Sequence, residues 1–235
     1  MKKLLRRILI GIIAIIVILF IALFIYSRNP YTALEEMDDA IALVDDSNIT
    51  YYEDRDEIRY SVDNPIKNII FIPGGLVTPD SYKYLAISLA AEGYEVVIAK
   101  APFNLAILNP SIGKEFLSDT IDNVIIGHSL GGVTASSVFS GNDSVEAMIF
   151  LGSYPIKDVK DMDVLYLNAE FDLGMDQEAL EGSYKFTSDS LNISIEGGNH
   201  AQYGWYGPQK GDGTAEIDTI TQQDLVVDLI VDFIQ

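Results

Sequence analysis

The hydrophobic positions of this chain follow two different patterns. Residues 8–26 form an uncharged, mostly apolar run that is long enough, as a helix, to cross the hydrocarbon core of a bilayer. Further along, short apolar runs alternate with segments of helical periodicity. Strands that are apolar on both faces and alternate with helices are typical of a parallel sheet covered on both sides. The pattern therefore predicts one N-terminal transmembrane helix and an α/β fold with a mostly parallel, twisted sheet and helices on both faces.

The apolar runs and periodic segments define the individual elements. We predict strands over residues 49–52, 58–62, 68–72, 94–99, 123–126, 147–151, 164–168 and 191–195. We predict helices over residues 31–44, 82–92, 130–139 and 221–234. Because the strands at 147–151 and 164–168 are separated by so short a segment, no large cap domain is expected above the sheet.

These elements divide the chain into three parts. Residues 1–28 contain a cytoplasmic basic stub and the transmembrane anchor. Residues 29–48 are expected to form a juxtamembrane helix, since Asn29 and Pro30 break the apolar helix before it. Residues 49–235 then form the α/β domain.

The basic residues at the N-terminus predict the orientation of the anchor. Lys2, Lys3, Arg6 and Arg7 precede the apolar run and should stay in the cytoplasm. The α/β domain is then extracellular, and the protein is a single-pass protein of the cell membrane. A cleaved signal peptide is the alternative, but its apolar region usually has only about 7–15 residues before a small-residue cleavage site. The sequence at residues 23–28 is a poor site of that kind, so we expect an uncleaved anchor.

Composition and charge exclude several kinds of site and partner. The chain has no cysteine, which rules out disulfides, thiolate zinc sites and a cysteine nucleophile. Its formal charge of −20 repels nucleic acid, so no nucleic-acid partner is expected. Two histidines without cysteine make no ordinary zinc site, and the Gly-Gly pair at residues 74–75 lacks the Lys-Ser/Thr of a phosphate-binding loop. We therefore expect neither a metal nor a cofactor, while the oligomeric state stays open.

A serine lies in the one motif that points to nucleophilic catalysis. Residues 127–131 read Gly-His-Ser-Leu-Gly, which fits Gly-x-Ser-x-Gly. A predicted strand precedes the motif and a predicted helix follows it, which is the strand–turn–helix context that this motif requires. The sequence thus predicts Ser129 as a nucleophile, with an ordinary glycine-rich turn as the alternative.

The scarcity of histidine narrows the choice of general base. His128 lies next to Ser129 inside the turn, and its side chain should project away from the hydroxyl. His200 follows the strand at 191–195, so it should lie at the same edge of the sheet as Ser129. We predict His200 as the base.

A catalytic acid is expected as the partner of the histidine. In folds with a Gly-x-Ser-x-Gly serine between a strand and a helix, the catalytic residues follow the chain order Ser, Asp or Glu, His. The acid should therefore follow a strand between Ser129 and His200. Asp172 comes shortly after the strand at 164–168 and is preferred, while Glu170 and Asp176 remain alternatives.

The backbone amide of Leu130 lies at the start of the predicted helix and can donate to an oxyanion, and a second amide should come from Gly75 or Leu76.

Several aromatic and polar residues flank these positions in the chain. They are candidates for the wall of a substrate pocket, although core or loop packing explains each of them equally well. The candidates are Phe103, Asn104, Tyr203, Trp205 and Tyr206.

Four segments together resemble the bacterial α/β-hydrolase "fold-5" family. They are Pro-Gly-Gly-Leu-Val-x-Pro-x-x-Tyr at residues 73–82, residues 100–110, Gly-His-Ser-Leu-Gly-Gly at residues 127–132, and Glu-Gly-Gly-Asn-His-Ala-Gln-Tyr-Gly-Trp-Tyr-Gly-Pro-Gln at residues 196–209. The last of these is the most specific. The resemblance implies an α/β-hydrolase fold related to dienelactone hydrolases and esterases. It also implies a triad of Ser129, Asp172 and His200, with amides near Gly75 and Leu130 as the oxyanion hole.

These observations lead to one expected function. The chain is expected to be a membrane-anchored serine hydrolase that cleaves a carboxylic ester, or a related acyl bond, of a small substrate through an acyl-enzyme on Ser129. An open site without a cap favours short acyl groups. A thioesterase, lactonase or peptidase of the same fold, and a noncatalytic binding or scaffolding protein, are the alternatives.

Overall fold

The computed structural model describes residues 2–235, with side chains from Leu5 onward. The chain divides into two compact units, Met1–Pro30 and Tyr31–Gln235. The first unit contains helix α1, Lys2–Tyr26. Its stretch Leu5–Tyr26 is long and apolar enough to cross a membrane, a property that signal sequences share.

The second unit is built around one sheet of eight strands. The strands are β1 Ile49–Glu53, β2 Glu57–Val62, β3 Asn68–Ile72, β4 Glu95–Ala99, β5 Asn123–His128, β6 Val145–Leu151, β7 Asp163–Ala169 and β8 Ser190–Ile195. The α-helices are α2 Glu36–Ile41, α3 Lys83–Ala91, α4 Leu130–Phe139, α5 Gln177–Ser183 and α6 Thr219–Ile234. Short 3-10 turns occupy Pro79–Tyr82, Pro102–Asn104, Ala106–Leu108, Lys114–Phe116, Tyr184–Phe186 and Ala201–Tyr203.

The strand order in the sheet is β1-β2-β4-β3-β5-β6-β7-β8. Strands β3 to β8 pair in parallel, whereas β1 and β2 form an antiparallel pair at the edge beside β4. The predicted mostly parallel sheet is therefore confirmed. Since the parallel strands all run in one direction, the loops that follow β3, β5, β6, β7 and β8 meet at one edge.

Strand β3 shows why the central strands are apolar at every position. Ile69 and Phe71 point into a core cluster that also contains residues of α3 and α6. Ile70 and Ile72 point into a second cluster with residues of α4 and α5. Helices thus cover both faces of the sheet, as predicted, and every side chain of β3 is buried.

The segment between β6 and β7 contains no helix or strand within the described residues 152–162. The prediction that no large cap domain covers the sheet is therefore confirmed. The connection that follows β6 at the carboxyl edge of the sheet is therefore a short loop.

The region just before β1 differs from its prediction. The helix expected over residues 31–44 is reduced to α2, because Tyr31 and Leu34 make backbone hydrogen bonds to distant loops. The amide of Tyr31 donates to the carbonyl of Leu76 at 2.7 Å, and that of Leu34 to the carbonyl of Trp205 at 2.9 Å. The predicted domain limits at 28/29 and 48/49 stay a prediction, while contacts group Tyr31–Gln235 into one unit.

Candidate active site

The Ser129 turn connects β5 to α4 in a strained conformation. Ser129 has φ 51° and ψ −126°, which a non-glycine residue adopts at a cost of about 1–3 kcal/mol. The flanking glycines are required by close packing. A Cβ on Gly127 would lie 2.3 Å from the Cα of Gly132, and a Cβ on Gly131 would lie 2.1 Å from the carbonyl oxygen of Ile72. The motif therefore describes a sharp turn that only glycines permit.

The end of strand β6 holds this turn in place. The Ser129 amide donates to the carbonyl of Leu151 at 3.0 Å. The hydroxyl of Ser153 donates to the carbonyl of Ser129 at 2.6 Å. These bonds fix the backbone of Ser129 from both sides, so the strained turn is supported by its surroundings.

The predicted base and acid are in direct contact. His200 Nδ1 lies 2.7 Å from Asp172 Oδ2, and both side chains are buried. A carboxylate only accepts hydrogen bonds, so Nδ1 carries the proton and Nε2 is left with a free lone pair. The Gly174 amide donates to the other oxygen of Asp172 at 3.1 Å, which fixes the carboxylate.

Gly152 places this pair close to the serine turn. A Cβ on Gly152, whose φ is 49°, would lie 2.8 Å from His200 Nδ1 and 2.9 Å from Asp172 Oδ2. The preceding residue, Leu151, is the one that binds the Ser129 amide. Ser129 and His200 both lie in the described part of the chain, and the Ser129 hydroxyl makes no hydrogen bond to His200. Catalytic hydrogen bonds are often long in the absence of substrate and tighten when substrate binds.

The two alternative acids have other partners. A carboxylate oxygen of Glu170 accepts the amide of Gly197 at 2.9 Å, which fixes the turn after β8. Asp176 is the N-cap of α5 and accepts the amide of Ala179 at 3.0 Å. Only Asp172 of the three predicted acids contacts the imidazole.

The predicted oxyanion donors fall into two groups. A Cβ on Gly75 would lie 2.9 Å from Leu130 Cδ2, so the two residues are neighbours. Among residues 2–235, neither the Gly75 nor the Leu130 amide donates a backbone hydrogen bond. The Leu76 amide instead donates to the carbonyl of Asn104 at 2.7 Å. Two of the three candidate amides are thus available to a bound anion.

His128 is part of a buried polar chain. Its Nδ1 lies 2.8 Å from the Tyr82 hydroxyl, which accepts the Gly74 amide at 3.0 Å. The hydroxyl can donate to Nδ1 while it accepts the Gly74 amide, an arrangement that suits a neutral imidazole. Burial, and then the neighbouring His200, hold the pKa of His128 well below its usual range. His128 is consequently a neutral ring packed 4.6 Å, centre to centre, from His200.

Asp212 is a polar residue of the site that the sequence did not single out. Its Oδ2 accepts the Ala201 amide at 2.8 Å, and its Oδ1 accepts the amides of Gly213 at 2.8 Å and His200 at 3.3 Å. Gly213 also donates to the carbonyl of Phe171, next to Asp172, at 3.1 Å. Asp212 and Gly213 therefore join the loop of the acid to the loop of the base.

Residues 199–218 are rich in glycine, aromatic and polar residues, a composition that is typical of functional loops. This composition does not indicate which residue turns back onto His200. The same is true of Tyr82, whose partner His128 lies 46 positions away along the chain.

The predicted pocket residues divide by burial. Tyr203 is fully buried and donates to the carbonyl of Leu167 at 2.7 Å, while Trp205 packs edge-on against Tyr84 in a cluster around α2. Tyr206 is also buried. These three residues are core components of the loop. Phe103 and Asn104 keep exposed surface, with φ values of 57° and 53°.

Metal ligands are not clustered in the described part of the chain: no three His, Asp or Glu side chains come together there to bind an ion. The arrangement around Ser129 is instead suited to proton transfer and to anion stabilisation by amides.

Comparisons with known proteins agree with this architecture. A family model described as "Alpha/beta hydrolase family" matches residues 68–224. The chain thus belongs to the alpha/beta hydrolase family, and the resemblance to the "fold-5" family is confirmed. Family membership supports a hydrolase. No curated protein matches the chain.

Solved structures with the same fold are distant in sequence. A predicted CIB-like hydrolase from Thermoplasma acidophilum is 14% identical, with a TM-score of 0.58 over 78% of this chain and 99% of that one. A dienelactone hydrolase from Anabaena variabilis is 13% identical, with a TM-score of 0.54 over 80% and 100%. The carboxylesterase CesB from Bacillus subtilis is 12% identical, with a TM-score of 0.54 over 83% and 94%. At such identities these likenesses show the fold.

Proposed function

We propose that this protein is a membrane-anchored serine hydrolase that cleaves a carboxylic ester, or a related acyl bond, of a small substrate. The observation that carries the proposal is the buried contact of 2.7 Å between His200 and Asp172 beside the strained Ser129 turn. A serine in such a turn, a histidine whose Nε2 is free and an acid that contacts the other ring nitrogen are the parts that acyl transfer requires.

The first step forms an acyl-enzyme. The Ser129 oxygen attacks the carbonyl carbon of the substrate, and its proton passes to Nε2 of His200. Asp172 stabilises the resulting imidazolium through Nδ1. The amides of Gly75 and Leu130 hold the negative oxygen of the tetrahedral intermediate. When the intermediate collapses, His200 returns the proton to the departing alkoxide and the ester bond breaks.

The second step releases the acyl group. Water enters the position that the alcohol has left, and His200 removes a proton from it as it attacks the acyl carbon. Collapse of the second intermediate frees the carboxylic acid and returns the proton to Ser129. No net oxidation or reduction takes place, and no external cofactor takes part in either step.

The surroundings of Ser129 support a small substrate. Only short loops lie at the carboxyl edge of β6, and Phe103 and Asn104 are the predicted pocket residues that retain exposed surface. An open site without a large cap encloses little of a long acyl chain, so we expect short-chain esters to react fastest.

Anchoring rests on the apolar helix Leu5–Tyr26. An uncleaved anchor keeps the full-length chain in the membrane fraction after alkaline carbonate extraction, and places the hydrolase domain outside the cytoplasm. A shorter chain in the soluble fraction, lacking residues 1–28, would identify the segment as a signal peptide.

A labelling experiment tests the enzymatic proposal. The full chain in detergent is treated with a fluorophosphonate probe and assayed on model esters, thioesters, lactones and peptides. Wild type and Ser137→Ala should be labelled and active, because Ser137 is an exposed serine of α4. Ser129→Ala should show neither property. Full labelling of Ser129→Ala would overturn the proposal, and lack of any turnover or labelling in wild type would favour a noncatalytic binding protein.

A further inference from the structure

The segment Tyr31–Leu34, which we call the strap, binds the loop that follows β3. The Tyr31 amide donates to the carbonyl of Leu76 at 2.7 Å, and the Thr78 amide donates to the carbonyl of Tyr31 at 2.9 Å. These bonds make a parallel bridge between Tyr31 and Val77. The strap is thereby fixed by backbone hydrogen bonds to the loop that contains Gly75.

The strap also binds the loop that contains His200. The Leu34 amide donates to the carbonyl of Trp205 at 2.9 Å. The ring of Tyr31 packs against that of Tyr206 at 5.3 Å between centres, and its hydroxyl accepts the Lys210 amide at 3.4 Å. One short piece of chain thus contacts both loops that the proposed mechanism needs.

Leu76 shows why the first contact matters. Its φ of 60° lies in the left-handed region, which a leucine occupies only when its surroundings impose it. Its amide is held by Asn104 and its carbonyl by Tyr31. Leu76 follows Gly75 directly, so the bonds that hold both polar groups of the Leu76 backbone restrain the loop next to Gly75.

We propose that the strap is a positioning element of the active site. It holds the loop that contains Gly75 against the loop that contains His200. The Gly75 amide and the imidazole of His200 can then act on the same substrate carbonyl. This inference rests on the proposed serine hydrolase function. It makes the chain directly after the apolar helix a part of the catalytic apparatus, and not a passive linker to the hydrolase domain.

Point variants of the full chain in detergent test this role. Tyr31→Ala removes the ring that packs on Tyr206, and Leu34→Pro removes the amide that binds Trp205. Each should lower kcat about tenfold with KM within about twofold, because small displacements of oriented groups cost rate. Tyr31→Phe keeps the ring and should restore kcat to within about twofold of wild type. Thr32→Ala is the matched control, since Thr32 lies in the strap with an exposed side chain.

Fluorophosphonate kinetics separate positioning from a folding defect. If the strap positions the site, both variants react more slowly but label the same fraction of chains at completion. A lower endpoint with an unchanged rate constant would reduce the strap to a folding role and overturn the proposal. Wild-type values of kcat and labelling rate in both variants would also overturn it.

The wild-type control distinguishes this inference from the proposed function. An active, labelled wild type beside unaffected strap variants contradicts the strap alone. A wild type that neither reacts nor hydrolyses any ester contradicts the serine hydrolase proposal, and the role of the strap falls with it.

Discussion

The imidazole of His200 donates from Nδ1 to Oδ2 of Asp172 across 2.7 Å, in a buried contact made by two loops that follow different strands. Burial matters because a hydrogen bond to an ionised carboxylate is stronger where water is excluded. The contact fixes the tautomer that leaves Nε2 able to accept a proton. Most of the expected chemistry of Ser129 depends on this one relationship.

Asp172→Asn tests the identity of the acid. The amide can no longer stabilise an imidazolium, and it favours the wrong tautomer of His200, so kcat should fall by about 10⁴-fold. Asp176→Asn is the matched control, because Asp176 only caps α5 and should leave kcat within about twofold. Steady-state ester hydrolysis measures both. If Asp176→Asn lost most of its activity while Asp172→Asn stayed active, Asp172 would not be the acid that orients His200.

Gly152→Ala tests whether the His200–Asp172 distance matters. The new Cβ would lie 2.8 Å from His200 Nδ1, so the pair must separate, and we expect kcat to fall by about 10²-fold. Gly141→Ala is a matched control for backbone strain: Gly141 also has a positive φ, of 66°, but nothing lies within 4 Å of its Cβ position. Comparable activity in the two variants would show that the pair tolerates displacement.

Asp212→Asn tests the connection between the acid and base loops. The asparagine side chain has an NH2 group in place of one carboxylate oxygen. That NH2 group cannot accept a hydrogen bond from the backbone amide of Ala201 or His200. We expect kcat to fall about tenfold with little change in KM, as the His200 loop loses its orientation. Glu216→Gln removes an exposed charge from the same loop and should have wild-type kinetics. Equal kinetics in both variants would remove Asp212 from the positioning of His200.

The buried neutral His128 predicts a pH dependence of stability. Its pKa is lowered in the folded protein, whereas the unfolded chain binds a proton at about pH 6.5. The stability is therefore undiminished above that pH, and it falls as the pH decreases, by up to about 1.4 kcal/mol per unit from this site.

His128→Asn provides the comparison, because the asparagine oxygen can accept the Tyr82 hydroxyl without titrating. Thermal unfolding between about pH 7.5 and pH 5.5 should show a steeper decrease of Tm in wild type than in this variant. Parallel curves would mean that His128 is not the group responsible.

The sequence predicted the fold well because the relevant signals are local. The apolar runs of β3 and β5 are buried on both faces, and such runs alternate with amphipathic helices. The Ser129 turn was also predictable, since its glycines are required within a few residues of the serine. With only two histidines, elimination alone left His200 as the base, which remains a prediction together with the rest of the site.

The features that the sequence did not predict depend on contacts between distant segments. Residues 31–34 have helical periodicity, but hydrogen bonds to Leu76 and Trp205 hold their backbone outside a helix. Trp205 looked like a pocket residue, yet it is buried against Tyr84. Asp212 has no local signal at all, because its partners become its neighbours only when the loop closes. Tertiary hydrogen bonds override local preference in each case.

Detection of an acyl-enzyme tests the central claim most directly. The full chain is mixed with an activated short-chain ester, quenched in acid during turnover, digested and analysed by mass spectrometry. We predict the acyl mass on the peptide that contains Ser129, its presence in Ser137→Ala and its absence in Ser129→Ala. Turnover with the acyl group on another residue, or hydrolysis by Ser129→Ala at the wild-type rate, would contradict the account.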